Sequence, residues 1–124
     1  MKPIAHIAIS LMFVFPFVAS SQSAGIDAAL NKGSAADLGV FFAPKVDVSV
    51  LNTDASLTPG VAVQRLTDFF SQNTVLGYKR AHYTAPADGR SAYSLGDLTT
   101  STGNYRIYLY FDAGQKISEI RIEK

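Results

Sequence analysis

Between Asn104 and Asp112 the chain reads Asn-Tyr-Arg-Ile-Tyr-Leu-Tyr-Phe-Asp, and the polar and apolar positions separate by parity. A pleated strand sends Tyr105, Ile107, Leu109 and Phe111 to one side and Arg106, Tyr108 and Tyr110 to the other, so one face is buried and one is wet. Turn chemistry flanks it, Ser101-Thr102-Gly103-Asn104 before and Asp112-Ala113-Gly114-Gln115 after. The strand is therefore expected inside a sheet, antiparallel to both of its sequence neighbours. Three more strand-like runs, Val75 to Ala85, Ser91 to Thr100 and Lys116 to Glu123, complete a meander.

Upstream the period changes. From Gly25, Ile26, Ala29 and Leu30 recur at helix spacing, and Asn31-Lys32-Gly33 is a C-terminal stop. Ser34 caps a second short helix, with Asp37 three residues on and Leu38, Phe41 and Phe42 as its apolar stripe; Pro44 ends it. Neither is long enough to persist in water, so both must dock on something apolar. Lys45 to Leu51 alternates strictly, with Val46, Val48 and Val50 on the dry side of a strand. Asn52-Thr53-Asp54 turns the chain, and Thr58-Pro59 opens the longest helix, Thr as N-cap and Pro at the first helical position. Ala62, Leu66, Phe69, Phe70 and Asn73 share one face of that helix. The order α-α-β-α-β-β-β-β implies an α+β domain whose antiparallel sheet curls around two short N-terminal helices and one longer helix.

Residues 1–21 are expected to be a cleaved signal peptide, leaving 22–124 as one domain. Lys2 supplies the positive start, Ile4 to Val18 is apolar apart from His6 and Ser10, and Ala19-Ser20-Ser21 gives the small residues a signal peptidase needs. That run of roughly 15 residues is shorter than the ~20 that span a bilayer. The chain has no cysteine, hence no lipid-attachment thiol and no disulfide. Export to the periplasm or the exterior follows, with no membrane attachment after cleavage. Eleven Lys and Arg stand against ten Asp and Glu, and losing Lys2 makes the balance ten to ten. An interleaved, neutral surface offers no basis for nucleic-acid binding.

The run Leu30-x-x-Gly33 before Leu38-x-x-Phe41-Phe42, then Val46-x-Val48, Asp68-Phe69-Phe70, Gly96-x-Leu98-x-Thr100, Gly103-x-Tyr105-Arg106-Ile107-Tyr108 and the ending Ile120-Arg121-Ile122-Glu123 resemble the nuclear-transport-factor-2-like (cystatin-like) superfamily. Within it the sequence is similar to a family of small secreted bacterial proteins, domain of unknown function 4783. The resemblance covers nearly all of the chain after the signal. It implies a cone-shaped α+β half-barrel with a pocket between sheet and helices, and a small apolar ligand is the partner such a pocket would take. It brings no activity, and fold alone never fixes one.

Cysteine nucleophiles are absent, and after cleavage His82 is the one histidine, which excludes His-rich metal sites; no cofactor motif is present. Superfamily members that isomerise or dehydrate small molecules place an Asp or His in the mouth of the cone, with Tyr hydroxyls beside it. By that resemblance Asp97 is the acid–base candidate and His82 or Tyr93 its partner, the arrangement of a small isomerase, dehydratase or cyclase. The plainer reading puts Asp97 on the outer face, paired with Arg or Lys. The second constellation is Arg106, Tyr108 and Tyr110, extended by Tyr78, Arg80 and Arg121: residue types enriched at interface centres, on a face where superfamily members often pair. The leading expectation is an exported, non-catalytic binding or association module that dimerises through this face. A third is an open sheet edge, Val46 to Val50 or the C-terminal strand, that accepts a partner strand.

Overall fold

The computed structural model describes residues 17–124, with side chains from Gln22 onward. Helix α1 runs Phe17–Lys32, α2 Ala35–Gly39 and α3 Pro59–Gln72; the strands are β1 Phe42–Val50, β2 Thr53–Leu57, β3 Val75–Thr84, β4 Tyr93–Thr100, β5 Gly103–Phe111 and β6 Ile117–Glu123. The expected elements appear in the expected order, with β2 added between the first strand and α3. They form one six-stranded curved sheet, β2-β1-β6-β5-β4-β3. Every neighbouring pair is antiparallel except β1 with β6, which run parallel.

Most of the expected signal segment lies outside the described residues. The helix expected from Gly25 begins earlier, at Phe17, and at 16 residues is longer than α3 at 14. It buries Ile26, Ala29 and Leu30. Gly33 closes it in the left-handed region at φ 70°, where an L side chain is strained. The Gly33 and Ser34 amides donate to the carbonyls of Leu30 and Ala29, which satisfies two of the helix's open acceptors. The Ser34 hydroxyl then accepts from the Asp37 amide and starts α2.

Two sequence expectations fail here for local reasons. Phe42 and Pro44 belong to β1 and not to α2: Phe42 is buried against the sheet, and Pro44 stands where the β1–β6 register is broken, between Phe42 and Asp47. A bulge needs no ladder N–H from that position, so the imino nitrogen costs nothing. The turn after β1 is Leu51-Asn52, both at positive φ (49° and 75°), a tight hairpin that produces β2. Val46 to Val50 and the C-terminal strand are therefore interior strands, and the sheet edges are β2 and β3.

Thr58 and Pro59 open α3 as expected, although the Thr58 hydroxyl makes no cap hydrogen bond. The helix buries Ala62, Leu66, Phe69 and Phe70. Phe69 meets Tyr105 of β5 edge-to-face at 5.3 Å and Phe70 at 5.7 Å; burying each ring is worth ~1.5–3 kcal/mol. Ile107, Leu109, Ile120, Ile122, Val46 and Leu98 join the same buried cluster. The central strand thus turns its apolar side to the helices, which leaves Arg106, Tyr108 and Tyr110 outside.

Candidate association face on the sheet

Register builds the outer face. The turn Ser101-Thr102 pairs Thr100 with Gly103, so Asp97 stands opposite Arg106, Leu95 opposite Tyr108 and Tyr93 opposite Tyr110. On β6, Glu123 stands opposite Arg106, Arg121 opposite Tyr108 and Glu119 opposite Tyr110. On β3, Lys79 pairs with Asp97, His82 with Leu95 and Thr84 with Tyr93. Three rows cross the strands: Lys79–Asp97–Arg106–Glu123, whose charges alternate in sign; His82–Leu95–Tyr108–Arg121; and Thr84–Tyr93–Tyr110–Glu119.

Contacts within the rows are those of a wet face. Arg106 Nε lies 3.8 Å from Asp97 Oδ1, with both side chains more than half exposed, so the pair adds little to stability. Arg121 is held from two sides, by Glu123 at 3.0 Å and Glu119 at 3.6 Å. The Tyr93 and Tyr110 rings stack at 5.7 Å and His82 leans on Tyr93 at 5.8 Å. Tyr93, Leu95, Tyr108 and Tyr110 are all half-buried. Partial burial, and secondly the nearby Glu119 carboxylate, raise the pKa of the Tyr110 phenol.

The structure brings together Arg106, Tyr108, Tyr110 and Arg121 on this one face. It places Asp97, His82 and Tyr93 there as well, with Asp97 beside Arg106 and away from the helices. Tyr78 and Arg80 do not extend the face. A bulge at Ala81, between the Arg80 and His82 pairings, changes the parity of β3. Arg80 consequently reaches inward to Asp27 of α1 at 3.4 Å, and the Tyr78 ring covers Gly96. Tyr93 and Leu95, missing from the sequence-based interface, were detectable by counting outward from a two-residue turn.

On the helix side, the space between the sheet and α3 holds the buried side chains of Leu66, Phe69, Phe70, Tyr105 and Leu109. Beside them the Tyr78 hydroxyl is buried with no hydrogen-bond partner among the described residues. Burial, followed by the Asp27 charge, pushes its pKa well above the usual phenol range. Asp27 is itself raised by burial, against the opposing effect of Arg80.

A six-stranded curved sheet wrapped on three helices defines an α+β protein of the cystatin-like, nuclear-transport-factor-2-like class. A protein with a cystatin-like fold from Silicibacter pomeroyi DSS-3 superposes with a TM-score of 0.60 at 8% identity, over 82% of this chain and 71% of its own. Residues 23–123 match the family described as Domain of unknown function (DUF4783), and the chain belongs to that family. A DUF4783 protein from Bacteroides fragilis YCH46 is 33% identical with a TM-score of 0.74, over 81% of this chain and 95% of its own. Another from Bacteroides ovatus ATCC 8483 is 27% identical with the same TM-score, over 82% and 93%. No protein of curated function matches the sequence.

Proposed function

We propose that the protein is an exported, non-catalytic association module that meets a second copy of itself through the outer face of β4 and β5. The observation carrying this reading is the alternating row Lys79–Asp97–Arg106–Glu123 beside two half-buried apolar and aromatic pairs. A two-fold axis along the strands, between β4 and β5, reverses the row in the second copy. Asp97 then faces Arg106 of the other copy and Lys79 faces Glu123, while Tyr93 meets Tyr110 and Leu95 meets Tyr108. A two-fold axis across the strands sets like charges against each other, so the row selects one arrangement.

Analytical ultracentrifugation over a wide concentration range tests it. The expected result is a monomer–dimer equilibrium weakened by Tyr108→Ala and abolished by Arg106→Asp. Asp97→Arg combined with Arg106→Asp restores it. A strict monomer at high concentration, unchanged by Tyr108→Ala, overturns the reading.

A further inference from the structure

The start of α1 holds chemistry that the sheet face does not use. Gln22 follows Ala19-Ser20-Ser21, the small residues at which the signal segment is expected to be cut. The Ser21–Gln22 bond lies inside α1, so cutting it moves the helix start to Gln22. What remains is docked. Ile26, Ala29 and Leu30 are in the core, Gln22 and Ser23 are half-buried, and the Gln22 side-chain amide donates to the Gln115 carbonyl in the β5–β6 turn. The family match, residues 23–123, opens one residue further on and supports the same boundary without reference to the signal pattern.

A terminus at Gln22 is reactive and badly placed. Its α-amino nitrogen belongs to the same residue as the amide carbon Cδ, with which it closes an unstrained five-membered ring. Such an amine titrates near about 7.7–8.0, so part of it is the uncharged nucleophile at neutral pH. The protonated part sets an ammonium on the positive end of the α1 macrodipole, where a cation is unfavourable. Consuming the amine removes that charge.

From these features we infer that the mature protein begins with a pyroglutamate at position 22. The α-amino nitrogen attacks Cδ of its own side chain; the N–Cδ bond forms and the Cδ–Nε2 bond breaks. One amine hydrogen passes to Nε2, which leaves as ammonia, and no oxidant or other reactant enters. The product is a neutral lactam whose ring nitrogen keeps one N–H. Ring closure gives up the Nε2 tie to the Gln115 carbonyl and leaves α1 anchored by Ile26, Ala29 and Leu30. The inference rests on the export proposed above and is independent of the pairing of two copies.

Expression of the full chain in an exporting bacterium tests it, with intact-mass and terminal-peptide mass spectrometry of the exported protein. The expected result is a chain of residues 22–124 lighter than its sequence mass by one ammonia. Its terminal peptide resists a general aminopeptidase and is shortened to Ser23 by pyroglutamyl peptidase. Gln22→Ala should be cut at the same bond and carry its full sequence mass. A chain that begins at Gln22 with nothing lost overturns the cyclisation and leaves export standing. A chain that begins at any other residue, or stays whole inside the cell, overturns the cleavage point and the inference with it. A deficit of one ammonia that persists in Gln22→Ala lies elsewhere in the chain and overturns the assignment to Gln22.

Discussion

Tyr78 and Gly96 form a contact whose energetics can be worked from both sides. The Tyr78 hydroxyl is buried and has no partner among the described residues, a situation that costs about 1–3 kcal/mol. Tyr78→Phe removes the orphan group and keeps the ring, so stability should rise or hold; for a domain of about 100 residues each 1 kcal/mol moves the midpoint by roughly 4–8 °C. Gly96→Ala acts on the same contact in reverse. A Cβ there would run into the hydroxyl oxygen and the ring carbon that bears it, so the ring must move. Overpacking of this kind costs about 1–3 kcal/mol. In a Tyr78→Ala background the ring is gone and Gly96→Ala should cost almost nothing, which makes the coupling energy the direct readout.

Alkali provides a separate check. Burial raises the folded-state pKa of Tyr78 above the unfolded value near 10. Above that pH the unfolded chain holds fewer protons than the native one, and stability falls as pH rises. The contribution is complete below about pH 10 and declines above it by at most about 1.4 kcal/mol per pH unit for one proton. Urea melts between pH 8 and 11, followed by circular dichroism, should show a shallower decline in Tyr78→Phe than in wild type. Equal slopes, together with a Tyr78→Phe protein less stable than wild type at pH 8, would refute the assignment of an orphaned phenol.

Two further outcomes follow from the turns and the end of α3. Leu51 occupies a left-handed position in the β1–β2 turn, where asparagine is at home, so Leu51→Asn should raise the thermal midpoint by the equivalent of about 1 kcal/mol. Asn73 ties α3 to the β4–β5 hairpin: its amide donates to the Phe69 carbonyl, and its side-chain oxygen accepts from Tyr105 and Thr102. Asn73→Ala should cost about 1–3 kcal/mol, and hydrogen exchange should accelerate first at the β4–β5 turn.

The course of the sheet was legible in β5 because one strand between two turns carries an unbroken alternation. Its neighbours were harder to orient for identifiable reasons. Treating Ser101 to Gly103 as the whole turn leaves the β4 register open by one residue, and one residue decides whether Asp97 faces the helices or Arg106. The bulge at Ala81 puts Tyr78 and Arg80 on one side and His82 on the other, a change that no period-two reading can register. Leu51-Asn52 concealed a hairpin because leucine is not a turn residue, and Pro44 imitated a helix stop because a bulge tolerates proline equally well. The place of β6 in the sheet was beyond reach from sequence. It lies between β1 and β5, and the parallel pairing that puts it there joins segments about 70 residues apart in the chain.

That same pairing sets the order in which the molecule can finish itself. Val48 and Val50 have their permanent neighbours in Ile120 and Ile122, almost at the other end of the polypeptide. Until the last strand leaves the ribosome, the first can hold only its own hairpin partner. A chain emerging N-terminus first therefore remains open until Ile117–Glu123 has emerged, and any stop before Ile117 removes β6 from the middle of the sheet while sparing both edges.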